Sequence, residues 1–141
     1  MWGLRRHLKR FAAFAALLAF AGCSEELGPV PYRTTLVRGV VLDGGRPVRG
    51  GWIEFHPVDG TIGKNRSAPI ASDGRFVAER VAVGRNAVGI VAAPVGVQKG
   101  REFHPLGTPI RRVVREQPAA PLTIDLYEEM LKQEQARPSR S

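Results

Sequence analysis

Short runs of alternating apolar and polar residues recur through this chain, and such runs favour an all-β fold. Over residues 48–56 the side chains alternate with the period of a half-buried strand. One face of this run carries Ile53 and Phe55. The opposite, outward face carries Trp52, Glu54 and His56. The sequence therefore predicts a strand with an apolar inner face and a mixed outer face.

The same periodicity predicts further strands. One lies over 34–42, and Phe76 is expected to point inward from another over 75–79. The run 87–93 places three apolar side chains on one face, Val88, Ile90 and Ala92. The run 122–126 alternates inward Leu122, Ile124 and Leu126 with outward Thr123 and Asp125.

Glycine-rich segments separate these runs and predict turns. Residues 43–47, Asp-Gly-Gly-Arg-Pro, predict a hairpin between 34–42 and 48–56. Asp73-Gly74 predicts a second hairpin between 68–72 and 75–79, because Gly adopts the left-handed region freely and Asp tolerates it. A further turn is expected at Arg85-Asn86. Short strands at this spacing predict a sandwich of two sheets.

Five ordered segments together resemble the carboxypeptidase regulatory-like, or transthyretin-like (prealbumin-like), domains of bacterial envelope lipoproteins. These segments are 37–41, 43–48, 53–57, 72–76 and 83–90. The resemblance implies a seven-stranded antiparallel Greek-key sandwich. It implies little about chemistry, because that fold hosts many roles.

Two stretches depart from that family pattern. Residues 94–121 are rich in Gly and Pro and predict a long loop inserted at one edge of the sandwich, with a strand over 110–114. Residues 127–137 place Tyr127, Met130 and Leu131 at helical spacing. Because about eleven residues make a marginal isolated helix, this tail is expected to dock or fray.

The first 22 residues have the composition of an export signal. Arg5, Arg6, Lys9 and Arg10 precede an apolar run over 11–21. At roughly 1.5 Å per helical residue this run reaches about 17 Å, which is too short for a bilayer core of about 30 Å. We therefore expect residues 1–22 to be removed during export.

Ala21-Gly22-Cys23 resembles the lipobox of bacterial lipoproteins, in which a signal peptidase cuts before a lipid-modified cysteine. The resemblance implies cleavage between Gly22 and Cys23 and a lipid anchor, with fatty acids such as palmitate, on Cys23. Phe20 departs from the lipobox pattern, because the residue three positions before the cysteine is usually Leu or another aliphatic residue. Lipidation would also explain why the chain has a single cysteine.

Several alternatives stay open at this end of the chain. An ordinary secretory signal followed by a free thiol is one of them. Arg5-Arg6 also resembles part of a twin-arginine export signal, although the general secretory route is the default expectation. Inner-membrane retention signals of some bacterial lipoproteins carry Asp directly after the cysteine, so the resemblance implies that Ser24 favours the outer membrane where a bacterium has both.

Removing 22 of the 141 residues would leave 119, enough for one compact domain. Residues 23–33 predict an extended tether, followed by a sandwich domain over 34–126 and a tail over 127–141. The chain has 21 basic and 13 acidic residues, and four of the basic ones lie in the signal, so the mature net charge is +4. Because that charge is dispersed, no nucleic-acid partner is expected.

Side chains that could support catalysis or metal binding are few. His56 and His104 have no ligand set at metal-binding spacing, so no metal or cofactor is expected. The Asp-Gly pairs indicate turns in preference to a calcium loop. A hydrolase of the transthyretin-like family, built on either histidine, is the enzymatic alternative. The hydroxyisourate hydrolases of that fold end in Tyr-Arg-Gly-Ser, which this chain lacks.

The sequence thus predicts a lipid-anchored cell-envelope protein with a non-catalytic structural or binding role. The candidate ligand face is the outward set Trp52, Glu54 and His56, which could bind envelope polysaccharide or a protein partner. A Trp ring can stack on a sugar or hold a cation. The alternative is that Trp52 packs under a neighbouring loop, either 58–67 or 94–121.

Overall fold

The computed structural model describes residues 31–116 and 120–138, which form two β-sheets with a shared core. Of the described residues, 44% lie in strands and 16% in helices, so this part of the chain is mostly β, as predicted. Gly22 and Cys23 lie outside the described residues. Among those described, no helix is both long and apolar enough to cross a membrane.

The first sheet is built around β1 (Thr34–Asp43). The short β2 (Arg46–Pro47) and the longer β5 (Arg75–Ala82) pair antiparallel with one side of it. On its other side, β8 (Leu122–Asp125) runs parallel to β1. The prediction of a purely antiparallel sandwich is therefore wrong at β8.

The second sheet is antiparallel throughout. Its strand order is β4 (Arg66–Pro69), β3 (Trp52–Pro57), β6 (Gly84–Val91) and β7 (Arg111–Val114). The described residues therefore contain eight strands where seven were predicted, and one of the eight, β2, has only two residues.

The strand β6 differs from its prediction at both ends. Arg85 and Asn86, predicted as a turn, lie within β6 and pair with β7. Ala92, predicted on the apolar face, is exposed beyond the strand with φ of 52°. Val88 and Ile90 do face the core as predicted.

The core lies between the two sheets. Ile53, Phe55 and Phe76 are buried as their alternation predicts. The rings of Phe55 and Phe76 meet at 6.0 Å between centroids, which joins β3 to β5 across the sandwich. The same core also contains Phe103, Ile110, Ile124 and Leu126.

The first predicted hairpin is wrong beyond Pro47. β2 pairs with β1 for two residues only, and β3 belongs to the second sheet. The chain leaves the first sheet through Gly50 and Gly51, whose φ angles are 100° and 83°. A Cβ on Gly51 would lie 2.6 Å from Ala93 Cα, so the crossing brings two backbones too close for a side chain.

The second predicted hairpin is also wrong, although its turn is present. β4 and β5 lie in different sheets, so Asp73-Gly74 connects the sheets. The Asp73 carboxylate accepts the Arg75 N–H at 3.1 Å, and the Ala71 N–H donates to Arg75 O at 2.8 Å. The turn chemistry fixes the reversal of the chain, while antiparallel pairing with β1 places β5 in the first sheet.

Residues 94–121 differ from the predicted loop because part of this segment is core. It contains a helix, α1 (Val97–Glu102), and the strand β7. Phe103 and Ile110 are fully buried. The Ile90 N–H donates to Phe103 O at 2.8 Å, and the Val88 N–H donates to Ile110 O at 3.0 Å. The segment therefore continues along the edge of β6 where the pairing with β7 ends.

The tail forms a docked helix, α2 (Leu126–Ala136). Its buried side chains are Leu126 and Glu129, with Met130 partly buried against the core. Tyr127 and Leu131, predicted on the apolar face, are exposed. Asp125, predicted to face outward, is buried, because it caps the N-terminus of this helix.

Candidate functional site on the outer face of β3

The outer face of β3 carries the three predicted ligand-face residues. Ile53 and Phe55 are completely buried, which turns Trp52, Glu54 and His56 toward the opposite face. β3 is an inner strand of its sheet, between β4 and β6. The site therefore stands on a paired strand and not on a loop.

Trp52 is flanked by apolar residues of both neighbouring strands. Pro69 of β4 and Val91 of β6 lie directly opposite it in the register, and directly opposed residues point to the same face. Trp52 remains 47% exposed. Its ring thus offers solvent a substantial apolar area, which full burial under a loop would remove.

Glu54 and His56 form a hydrogen-bonded pair beside this ring. His56 Nε2 and Glu54 Oε2 are 2.9 Å apart, and their side chains are 19% and 30% exposed. Because the Glu54 carboxylate only accepts, Nε2 is the donor in this hydrogen bond, and Nδ1 of the neutral ring is left as an acceptor for a ligand. Ser67 of β4, opposite Glu54, adds an exposed hydroxyl.

Pro105 bounds the site on the β6 side. Gly89 lies opposite Glu54, and a Cβ on Gly89 would lie 2.5 Å from Pro105 Cα. Thr108, which is buried, donates its hydroxyl to Val88 O at 2.7 Å and holds this segment on the strand. The 103–110 segment therefore covers Gly89 beside the Glu54–His56 pair.

The structure gives the two histidines different partners. His104 is exposed, and its Nδ1 accepts the N–H of Leu106 at 3.4 Å. Within the described chain, no hydrogen bond links His104 to His56. The same residues contain no cluster of three or more His, Cys, Asp or Glu side chains able to hold a metal ion.

Two buried carboxylates, Asp125 and Glu129, were not singled out from the sequence. Asp125 accepts the N–H groups of Gly44, Gly45 and Tyr127 at 2.9, 2.7 and 3.0 Å. Burial raises the pKa of Asp125, but backbone hydrogen bonds outweigh it and hold the pKa below 3.8. Asp125 precedes Glu128 by three residues, which is a helix-start signal that the sequence does contain.

Glu129 is the second of these carboxylates. It accepts hydrogen bonds from Arg112 Nη2 at 2.7 Å and from Lys132 Nζ at 2.8 Å. Burial raises its pKa, but these two cations outweigh it, so the pKa lies below 4.5. Because Arg112 belongs to β7 and Glu129 to α2, the pair ties the helix to the second sheet.

A groove of about 380 Å³ adjoins the site, because Ser67 and Pro69, which lie opposite Glu54 and Trp52, are among its lining residues. Two other grooves lie away from Trp52. One of about 570 Å³ follows residues 34–38 with Ala120 and Pro121. Another, of about 300 Å³, lies between the sheets and is lined by Val37, Val114 and Leu122 among others. The candidate site is an exposed strand surface beside the groove that Ser67 and Pro69 line, which suits an extended or flat ligand.

Comparison with protein-family models, with curated proteins and with solved structures finds no match to this chain. The fold and the site define it as a two-sheet β protein with an aromatic and polar face on an inner strand.

Proposed function

We propose that this chain is a lipid-anchored cell-envelope protein whose sandwich is a non-catalytic binding or structural module. The anchor is Cys23, exposed by cleavage after Gly22, and the expected location is a membrane outside the cytoplasm, with the outer membrane favoured. Support comes from the basic start, the short apolar run and Ala21-Gly22-Cys23. The first strand, β1, begins at Thr34, directly after the predicted tether.

We further propose that the sandwich is a transthyretin-like domain with Greek-key connections. Repeated crossing of the chain between the two sheets supports this, as does the Asp73-Gly74 connection from β4 to β5. The strand count is compatible with the family if the two-residue β2 is set aside. The strand β8 differs from the proposed domain type, because it pairs parallel with β1 where an antiparallel sandwich was expected.

Binding at the outer face of β3 is the role that the geometry supports best. The observation that carries it is that Trp52 stays half exposed beside the hydrogen-bonded Glu54–His56 pair. A ring of this kind can stack on the C–H face of a sugar, while a carboxylate and an imidazole hydrogen-bond its hydroxyl groups. We propose envelope polysaccharide as the ligand, with a protein partner as the alternative.

The anchor is tested with Cys23→Ala in the full chain. We expect this variant to lose acyl labelling and to leave the membrane fraction. Unchanged labelling and fractionation would rule out lipidation at this residue.

The ligand face is tested with Trp52→Ala in a pull-down with envelope polysaccharide. We expect binding to fall by about tenfold while the thermal transition is largely retained, since a central Trp often dominates an interface. Tyr127→Ala is the matched control, because Tyr127 is a similarly exposed aromatic outside β3. Equal binding by wild type and Trp52→Ala would exclude this face as the site.

A further inference from the structure

One end of the sandwich lies where the chain emerges from the tether. The Val83 N–H donates to Arg33 O at 2.9 Å, and Thr34 pairs with Ala82. Gly84, at the start of β6, pairs with Val114, at the end of β7. We define the tether end as Arg33 with the segments 57–66, 79–85 and 114–116.

Trp52 lies toward the opposite end. It pairs with Val91, the last residue of β6, whereas Gly84 at the tether end is the first. Val91 lies seven residue steps along β6 from Gly84, which corresponds to roughly 23 Å. The ligand face is thus distant from the point at which the tether joins the domain.

The tether end is basic. It carries six basic residues: Arg33, Lys64, Arg66, Arg80, Arg85 and Arg115. Its three acidic residues are Asp59, Glu79 and Glu116. Two of these acids are already paired within the tether end, Asp59 with Arg85 at 3.5 Å and Glu116 with Arg33 at 3.1 Å. An excess of three positive charges remains on this end.

The same end presents an exposed apolar side chain on an ordered loop. Ile62 is 57% exposed. Its loop is held by the Thr61 N–H, which donates to Val58 O at 3.0 Å, and by Thr61 Oγ1, which accepts the Arg85 N–H at 2.7 Å. Exposed Lys64 follows Ile62 by two residues. The loop therefore offers an apolar group flanked by a cation.

We infer that the tether end is a docking surface for an anionic phospholipid bilayer, the one that holds the acylated Cys23. This inference rests on the proposed anchor. The eleven-residue tether reaches at most about 38 Å, so the domain is held at high local concentration over the headgroups. Each basic residue near an anionic surface then favours the docked state by about fivefold. Docking turns the Trp52 end away from the membrane.

The experiment uses the acylated full chain reconstituted in phosphatidylcholine vesicles, with and without phosphatidylglycerol. A dye at Asn65→Cys reports energy transfer to a headgroup-labelled lipid, and a dye at Ser72→Cys reports the far end. Both positions are exposed, and Cys23 is the only other cysteine. We expect strong transfer from position 65 on anionic vesicles, and loss of it as salt shortens the Debye length from about 30 Å to about 3 Å.

The variant Lys64→Gln/Arg115→Gln removes two charges from the tether end. We expect it to lower the docked-to-undocked ratio by about 25-fold. The matched control is Arg46→Gln/Arg49→Gln, which removes two exposed charges near the far end and should leave the ratio unchanged. Equal transfer on neutral and anionic vesicles, or an equal effect of the two variants, would overturn the inference.

Failure of the anchor has a different signature. A chain without acyl groups would not be incorporated into the vesicles during reconstitution. In that case the vesicles are added to the soluble chain, and binding is measured directly. Binding to anionic vesicles that depends on Lys64 and Arg115 would still support the docking surface. Absence of such binding would reject it independently of the anchor.

Discussion

The carboxylate of Asp125 accepts a hydrogen bond from the backbone N–H of Gly45 at 2.7 Å, across 80 residues of sequence. The same carboxylate accepts the N–H of Tyr127 at 3.0 Å and so caps α2. One side chain therefore closes the turn between β1 and β2 and fixes the start of the C-terminal helix. Leu126, the first residue of α2, comes directly after Asp125 and is fully buried. The Asp125 contacts therefore hold the start of the helix against the domain.

Asp125→Ala should reduce the free energy of unfolding by about 1–2 kcal/mol, because it removes the helix cap and the shared acceptor of the part-buried Gly44 and Gly45 N–H hydrogen bonds. Asp73→Ala is the control, since Asp73 is an exposed turn residue with one backbone hydrogen bond. Urea unfolding of both variants at neutral pH measures the difference. Similar losses for the two would contradict the role assigned to Asp125.

Stability should fall in acid through the two buried carboxylates. Burial raises the pKa of Asp125, but its backbone hydrogen bonds hold that pKa below 3.8. Glu129 is shifted the same way, below 4.5, because Lys132 and Arg112 outweigh its burial. A carboxyl with a lowered folded pKa stabilises the protein above its unfolded pKa and loses that contribution as the pH falls through the folded pKa.

Asp125→Asn isolates this pH effect, because an amide does not titrate. The variant should have a lower free energy of unfolding than wild type near neutral pH. The difference between the two free energies should become smaller below about pH 4. Urea unfolding across this range measures it. A gap that stays constant down to the acid limit would show that ionisation of Asp125 contributes nothing.

The two faces of β3 were predictable because alternation is local. Ile53 and Phe55 point inward and Trp52 outward simply because successive residues of a strand face opposite ways. Pairing partners were not predictable in the same way. Asp73-Gly74 specifies a reversal, but the sheet that β5 joins depends on contacts with β1, far away in the sequence.

The segment 94–121 shows why composition misled the prediction. Its Gly and Pro residues favour a loop, yet Phe103 and Ile110 are fully buried. Apart from the predicted strand over 110–114, Pro105, Gly107 and Pro109 interrupt the segment, so no run there is long enough for periodicity to identify a buried face. Burial arises because the segment lies along the edge of β6, which only the tertiary structure reveals.

Arg112→Ala should destabilise the protein by about 2 kcal/mol, because it leaves the buried Glu129 carboxylate with only the exposed Lys132 as partner. Lys132→Ala should cost about 0.5 kcal/mol or less, since exposed pairs contribute little. A double-mutant cycle with Glu129→Gln measures the coupling of Arg112 to Glu129. A coupling near zero would mean that the pair does not tie α2 to β7.

Gly89→Ala should detach the 103–110 segment from the sheet. The new Cβ would lie 2.5 Å from Pro105 Cα, a distance that the backbone must move to relieve. We expect a loss of about 1–3 kcal/mol and faster amide exchange at Ile90, whose N–H donates to Phe103 O. Gly100→Ala is the control, because nothing lies within 4 Å of its Cβ and Ala favours the helix there.

The fluorescence of Trp52 reports both processing and ligand binding. The chain has two tryptophans, and removal of residues 1–22 would take Trp2 away. We expect Trp52→Phe to abolish tryptophan emission from the exported protein, whereas residual emission would show that the signal remains. Because Trp52 is half exposed, acrylamide should quench it, and bound polysaccharide should reduce that quenching. Blue-shifted emission that acrylamide cannot reach in the free protein would instead support packing of Trp52 under a neighbouring loop.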